Sequence, residues 1–204
     1  MSPRYPIPAG RHRCEHLVKR SRFVCTADLA PSVEAARALI TEIRREMPDA
    51  SHHVYAFVVG GGKSVQRGMS DAGEPSGTAG RPTMAVVEGS GLGDLCVVTS
   101  RYFGGIKLGT GGLVKAYTEA AQLVLEGLPT ELKISTCRVE ARMPYALYEP
   151  LLRHFEALEA SIEKTDFDAE VRVIARVAED RVEALDAALT EASSGRVRLI
   201  RLQG

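Results

Sequence analysis

The apolar positions change period along the chain, and the changes mark out its elements. From Arg11 to Leu29 the apolar residues Cys14, Leu17, Phe23, Cys25 and Ala27 are split by Lys19-Arg-Ser-Arg22, which predicts two strands joined by a basic turn. Ten residues with three prolines precede them and predict no regular element. Val33, Ala36, Ile40, Ile43 and Met47 then fall at steps of three and four, which predicts a helix capped by Ser32 and stopped by Pro48. His52 to Val59 predicts a strand stopped by Gly60-Gly61-Gly62. A glycine-rich loop follows, with a short helix over Pro82–Glu88. The unbroken run Leu95-Cys-Val-Val98 within Asp94–Ser100 predicts a strand covered on both faces. After a second glycine-rich loop, Leu113, Ala116, Tyr117, Ala120, Val124 and Leu128 form a helical stripe ended near Pro129.

Pro129 divides the chain into candidate domains 1–128 and 129–204. Beyond it, Cys137, Val139, Ala141 and Met143 alternate as in a strand, and Tyr148, Leu151, Leu152, Phe155 and Leu158 have helical spacing, with Pro150 placed in the first turn. A hairpin is predicted about Asp166-Phe-Asp168, then a helix over Val182, Leu185, Leu189 and Ala192 closed by Gly195, then a strand over Arg196–Leu202. Strand, helix, strand, strand, helix, strand is the ferredoxin-like order. The expected class is α+β.

Two strings carry the candidate chemistry: Asp71-Ala-Gly-Glu-Pro-Ser-Gly-Thr-Ala-Gly-Arg-Pro82 and Arg101-Tyr-Phe-Gly-Gly-Ile-Lys-Leu-Gly-Thr-Gly-Gly112. Glycine in such number admits positive φ and lets another molecule approach the main chain. The second string joins a strand to a helix, an arrangement that aims helix N–H groups at an anion. Gly109, Thr110, Gly111 and Gly112 would supply those donors, with Arg101 and Lys107 as counter-charges. Tight packing of strand on helix is the plainer explanation. The string is not a Walker A motif, because no GK[ST] follows the glycines. Asp71 and Glu74, with Ser76 and Thr78 nearby, have the types to hold Mg²⁺ against a phosphate. The favoured alternative is that they anchor loop N–H groups or pair with Arg81 and Arg101.

Lys plus Arg equals Asp plus Glu, at 26 each, so no general electrostatic pull toward nucleic acid or membrane follows. In the second half, alternation places Arg138, Arg142, Arg172, Arg176, Arg196 and Arg198 together on the sheet face away from the helices. That face is either a solvated surface or a grip on a phosphate backbone; no stacking aromatic alternates with the arginines, and Glu140 and Glu170 sit among them. Cys14, Cys25, Cys96 and Cys137 form no CxxC pair and are expected as reduced thiols, Cys96 in the core. His12 and His16, and the adjacent His52 and His53, lack the spacing of a metal site, and no catalytic triad is set out. Without a signal pattern or a long apolar run, a cytoplasmic protein with no membrane partner is expected.

The two glycine-rich strings, with Ser21-Arg-Phe23, Asp49-Ala-Ser-His-His53 and Ser193-Ser-Gly195, resemble the IMPACT family over essentially the whole chain, its bacterial YigZ-like branch above all. The resemblance implies an N-terminal domain with the fold of the second domain of a small-subunit ribosomal protein. It implies a C-terminal domain similar to the ferredoxin-like fifth domain of elongation factor G. Eukaryotic members regulate translation under amino-acid starvation by competing for the activator of an initiation-factor kinase. The expected function is therefore a non-catalytic, translation-associated factor that binds RNA or the ribosome, or a protein partner of the translation machinery, with no cofactor. Two alternatives stand beside it: an enzyme or sensor for a small phosphorylated ligand at the glycine loops, with Mg²⁺, and a module for protein interaction alone.

Overall fold

The structure, a computed structural model, describes residues 4–61 and 65–202; Gly62 of the expected glycine stop lies outside them. Chain contacts divide it into two units, one over Arg4–Lys133 and one from Ile134 onward.

The N-terminal unit is built on a five-stranded antiparallel sheet. In chain order its elements are β1 (Arg4–Pro8), β2 (His12–Val18), β3 (Ser21–Leu29), α1 (Val33–Glu46), β4 (His52–Val59), β5 (Gln66–Ser70), α2 (Gly80–Gly89), β6 (Leu95–Tyr102) and α3 (Gly109–Glu126). The sheet order is β2-β3-β6-β4-β5. As its unbroken apolar run predicts, β6 is central, and Leu95 through Arg101 are all buried. One sheet face, with Val24, Phe57, Cys96 and Val98, packs on α1. The other, with Phe23, Cys25, Val54, Ala56, Leu95 and Val97, packs on α2 and α3. The Ser32 hydroxyl accepts the Ala35 N–H (3.1 Å) and starts α1 where expected. Burial pushes the Cys96 thiol up to about 12, so it is a core side chain and a poor nucleophile.

The basic turn is as tight as a hairpin allows. Lys19 and Arg20 both have positive φ (45° and 69°), which a two-residue turn of this hand requires and which L-residues adopt at a cost.

Three strands depart from expectation, two of them paired with each other. β1 forms despite its prolines because it needs only one partner, β7 (Thr130–Ile134), in a separate two-stranded sheet. That pairing holds the segment after Pro129 with the N-terminal unit, so the break in contacts falls at Ile134, five residues beyond the expected one. β5 falls in the expected loop. Its polar sequence suits an edge strand bonded only to β4, and Gly68 is required there because a Cβ would lie 2.2 Å from the Phe57 ring.

The second unit holds β8 (Thr136–Met143), α4 (Tyr145–Ala157), β9 (Ser161–Phe167), β10 (Val171–Ala178), a 3₁₀ turn (Glu179–Arg181), α5 (Val182–Ala192) and β11 (Leu199–Arg201). The sheet is antiparallel in the order β11-β8-β10-β9, the interleaved arrangement that βαββαβ succession produces. Three details differ from expectation. α4 begins early enough to put Pro150 in its second turn, where the Ala146 carbonyl loses its helical donor. The hairpin turn lies after Phe167, and the last strand spans only three residues.

Candidate functional site

The two glycine-rich strings meet, and they meet through Glu74. Antiparallel register places His52, Arg101, Phe23 and His16 in one row across β4, β6, β3 and β2, on the face covered by α2 and α3. The loop before α2 lies over this row. Its Glu74 side chain is 3% exposed and the Arg101 side chain 6%, so both are charges removed from water. Arg101 Nη1 donates to Glu74 Oε1 (2.7 Å), and the Tyr117 hydroxyl of α3 donates to the same oxygen (2.8 Å). Burial, then the Glu74 carboxylate, raises the Tyr117 phenol above its usual range, so it stays a donor. Arg101 Nη2 donates to the Ser21 hydroxyl (3.3 Å), which also accepts the Gly104 N–H (3.4 Å). The guanidinium lies 5.4 Å from the Phe23 ring and 5.7 Å from the Phe103 ring. Its Nε–H is buried and meets no hydrogen-bond partner among the described residues. His52 Nδ1 donates to the Ala72 carbonyl (3.0 Å), which turns Nε2 toward Glu74 at 4.0 Å.

Asp71 anchors the loop instead of facing a ligand. Oδ2 accepts Gly77 N (2.9 Å); Oδ1 accepts Ala79 N (3.0 Å) and Gly80 N (2.8 Å), the amino end of α2. Thr78 donates to the Pro75 carbonyl (2.6 Å), while Ser76 and Arg81 are exposed. Both acids thus serve the loop itself, and among the described residues no three His, Cys, Asp or Glu side chains gather as a metal cage.

The expected anion set divides in two. Arg101 is buried and committed to Glu74. Lys107, Gly109, Thr110 and Gly111 are exposed, and Gly112 is half-buried at the start of α3. That helix begins without a side-chain cap and without an acid in its first turn, so its first N–H groups face solvent. A Cβ at Gly105, Gly109 or Gly111 would meet nothing within 4 Å. Positive φ (82° and 75°) accounts for glycine at 105 and 109; nothing in the fold accounts for it at 111. Against this loop lies the β2–β3 turn, so closely that a Cβ on Gly104 would sit 2.0 Å from the Arg20 carbonyl oxygen. Exposed Lys19, Arg20 and Lys107 thereby share one end of the sheet with Phe103, which is 49% exposed. Lys19, Arg20 and Phe103 are residues that sequence reasoning did not assign to the site. Tyr117, His52 and Ser21 were also unassigned there, although the strings Ser21–Phe23 and Asp49–His53 contain two of them.

The arginine face of the second unit is largely self-neutralised. Arg142 and Arg172 stand opposite each other in register, as do Arg138 and Arg176. Like charges placed so repel, and a shared acid answers each pair. Glu140 accepts from Arg142 and Arg172 (2.8 Å each), and Glu163 from Arg138 (2.7 Å) and Arg176 (2.8 Å). Those bonds hold both carboxyls below their usual range. Arg198 reaches Asp186 of α5 (3.5 Å), and Arg196 donates to the Ser193 carbonyl, so neither joins the four. Two exposed aromatics at that end, Phe167 and Tyr145, lie against each other, and Phe167 also meets Tyr148 of α4 edge-on.

Comparison with known proteins matches residues 19–125 to the Impact N-terminal domain and residues 142–196 to a domain of unknown function, DUF1949. A Haemophilus influenzae protein described as an IMPACT family member is 37% identical over 95% of this chain and 94% of its own length. The Escherichia coli IMPACT family member YigZ is 36% identical over 97% of each chain. A solved structure titled only as a hypothetical protein superposes with a TM-score of 0.70 at 35% identity, covering 100% of this chain and 99% of its own. Among the described residues no helix is long and apolar enough to cross a membrane.

Proposed function

This chain belongs to the IMPACT family, and from that premise and the geometry of its loops we propose that it is a translation-associated, non-catalytic factor that contacts RNA phosphates at one end of its N-terminal sheet. The observation that carries the reading is the open amino end of α3. Its main chain is bare at Gly109 and Gly111, it stands beside Lys107, and its loop lies against the Lys19-Arg20 turn. Uncapped N–H groups and unpaired cations hold phosphate, and the exposed Phe103 ring offers a stacking surface for a base. Membership of the IMPACT family, which implies domains similar to a ribosomal protein domain and to the fifth domain of elongation factor G, supports the same direction. The arginine face, with its acids in place, contributes little.

Titration of labelled single-stranded RNA, tRNA and ribosomes across a salt series tests this. Affinity falls as salt rises. Lys19→Ala with Arg20→Ala and Lys107→Ala weakens binding and flattens the salt slope by roughly 0.7 per lost phosphate contact. Arg172→Ala with Arg198→Ala leaves binding unchanged. No binding at low salt, or equal binding by the triple variant, removes the proposal. Gly111→Ala separates function from fold: an exposed helical alanine stabilises by up to about 1 kcal/mol, while RNA affinity drops because the added methyl stands where the phosphate approaches.

A second reading, a small phosphorylated ligand at the same loops, draws on the same uncapped amino end of α3 and exposed Lys107. A thermal-shift screen of nucleotides, with and without Mg²⁺, checks it. A ligand present at 100 times its dissociation constant adds about 2.7 kcal/mol, and a flat screen dismisses it.

A further inference from the structure

The outer side of α2 and α3 carries an open groove of about 990 Å³ that starts at Gly77, Arg81 and Pro82 of the first glycine-rich string and includes no residue of the second. β5 and β6 both run antiparallel to β4 and therefore parallel to each other. Each is followed by a helix that returns along the sheet, so α2 and α3 point the same way. Along α2 the groove is floored by Ala85 and Gly89, one turn apart, and α3 walls it with exposed Val114 and half-buried Leu125. Small residues on one helix and branched ones on the other leave a trough along both. Arg81 stands at the amino end of α2 and Glu126 at the far end of α3, and neither makes a hydrogen bond or ion pair among the described residues.

We propose that this groove docks an amphipathic helix of a partner protein, running antiparallel to α2 and α3. Two parallel helices add their dipoles, and a third opposed to them offsets the sum. In that direction the carboxyl-terminal end of the guest lies at Arg81 and its amino-terminal end at Glu126. The guest therefore carries an apolar i, i+4, i+7 stripe, an acid near its carboxyl end and a Lys or Arg near its amino end. α2 is about 15 Å long, which accommodates roughly three turns of guest.

The probe is a fluorescent helical peptide of that design, compared with one in which acid and base are exchanged. The designed peptide binds the full chain and the exchanged one binds about tenfold more weakly. On the protein carrying Arg81→Glu with Glu126→Lys the preference inverts. Ala85→Arg, an exposed helical position, abolishes binding without changing thermal unfolding. A preference that fails to invert, or binding that survives Ala85→Arg, overturns the proposal. So does displacement of the peptide by a free fatty acid at lower concentration, or self-association of the chain that Ala85→Arg abolishes, since the occupant is then an acyl chain or a second copy. RNA binding by the Lys19 loop region is read separately and is unaffected by these substitutions.

Discussion

Replacing Glu74 with Ala lowers the stability of the N-terminal unit by about 3–5 kcal/mol, because Arg101 is left as an unpaired charge where water cannot reach it. Few single substitutions outside the apolar core are expected to cost as much. The Tyr117 hydroxyl loses its acceptor in the same step, and the loop before α2 loses its hold on the central strand. Glu74→Gln is milder at Tyr117, since an amide oxygen still accepts there, but it does nothing for the guanidinium charge. Urea unfolding of the three proteins ranks them wild type, then Gln, then Ala. The double variant Glu74→Leu with Arg101→Met recovers most of the loss, because two apolar side chains remove the need for either charge. If the Ala variant unfolds within 1 kcal/mol of wild type, roughly the cost of an exposed pair, the pair is not isolated from solvent as described.

Asp71→Ala is expected to cost about 2–4 kcal/mol, three N–H groups losing one shared carboxylate. Burial pushes the Asp71 carboxyl up, but the bonds from Gly77, Gly80 and Ala79 outweigh it and hold it below the usual carboxylate value. The folded value lies below the unfolded one, so the stabilisation is complete above about pH 4 and is lost as pH falls through the folded value. The gap between wild type and Asp71→Ala therefore narrows in acid, and urea midpoints at neutral pH and near pH 3 measure it. Asp71→Asn keeps one acceptor oxygen and falls between the two.

Much of the architecture was legible along the chain because local rules agree with the final packing. Ser32 stands where a helix needs an acceptor, and the run Leu95–Val98 belongs on a strand with two covered faces. β1 was hidden by Pro3, Pro6 and Pro8, which argue against a strand until a partner is known to bond it from one side only. β5 was hidden by polarity, which on an edge strand is no objection. The candidate site was legible by composition and opaque by geometry. Asp71 and Glu74 stand three apart and read alike, yet one caps a helix while the other neutralises a guanidinium 27 positions away. Ser21 joins Arg101 across 80 positions, and only strand register brings such residues together. Conversely, Arg198 and Arg196 fit the alternation of the arginine face, and the Asp186 carboxylate on α5 and the Ser193 carbonyl drew them off it.

The place of β6 between β3 and β4 has a consequence for how the chain folds. The two hairpins made first during synthesis, β2–β3 and β4–β5, do not touch as strands; each waits for a segment that emerges later. Until Leu95–Tyr102 inserts, two apolar strand flanks with open N–H and C=O rows stand ready to pair with any neighbour. A fragment ending before Leu95 should precipitate, whereas one ending after Lys133 should remain dispersed.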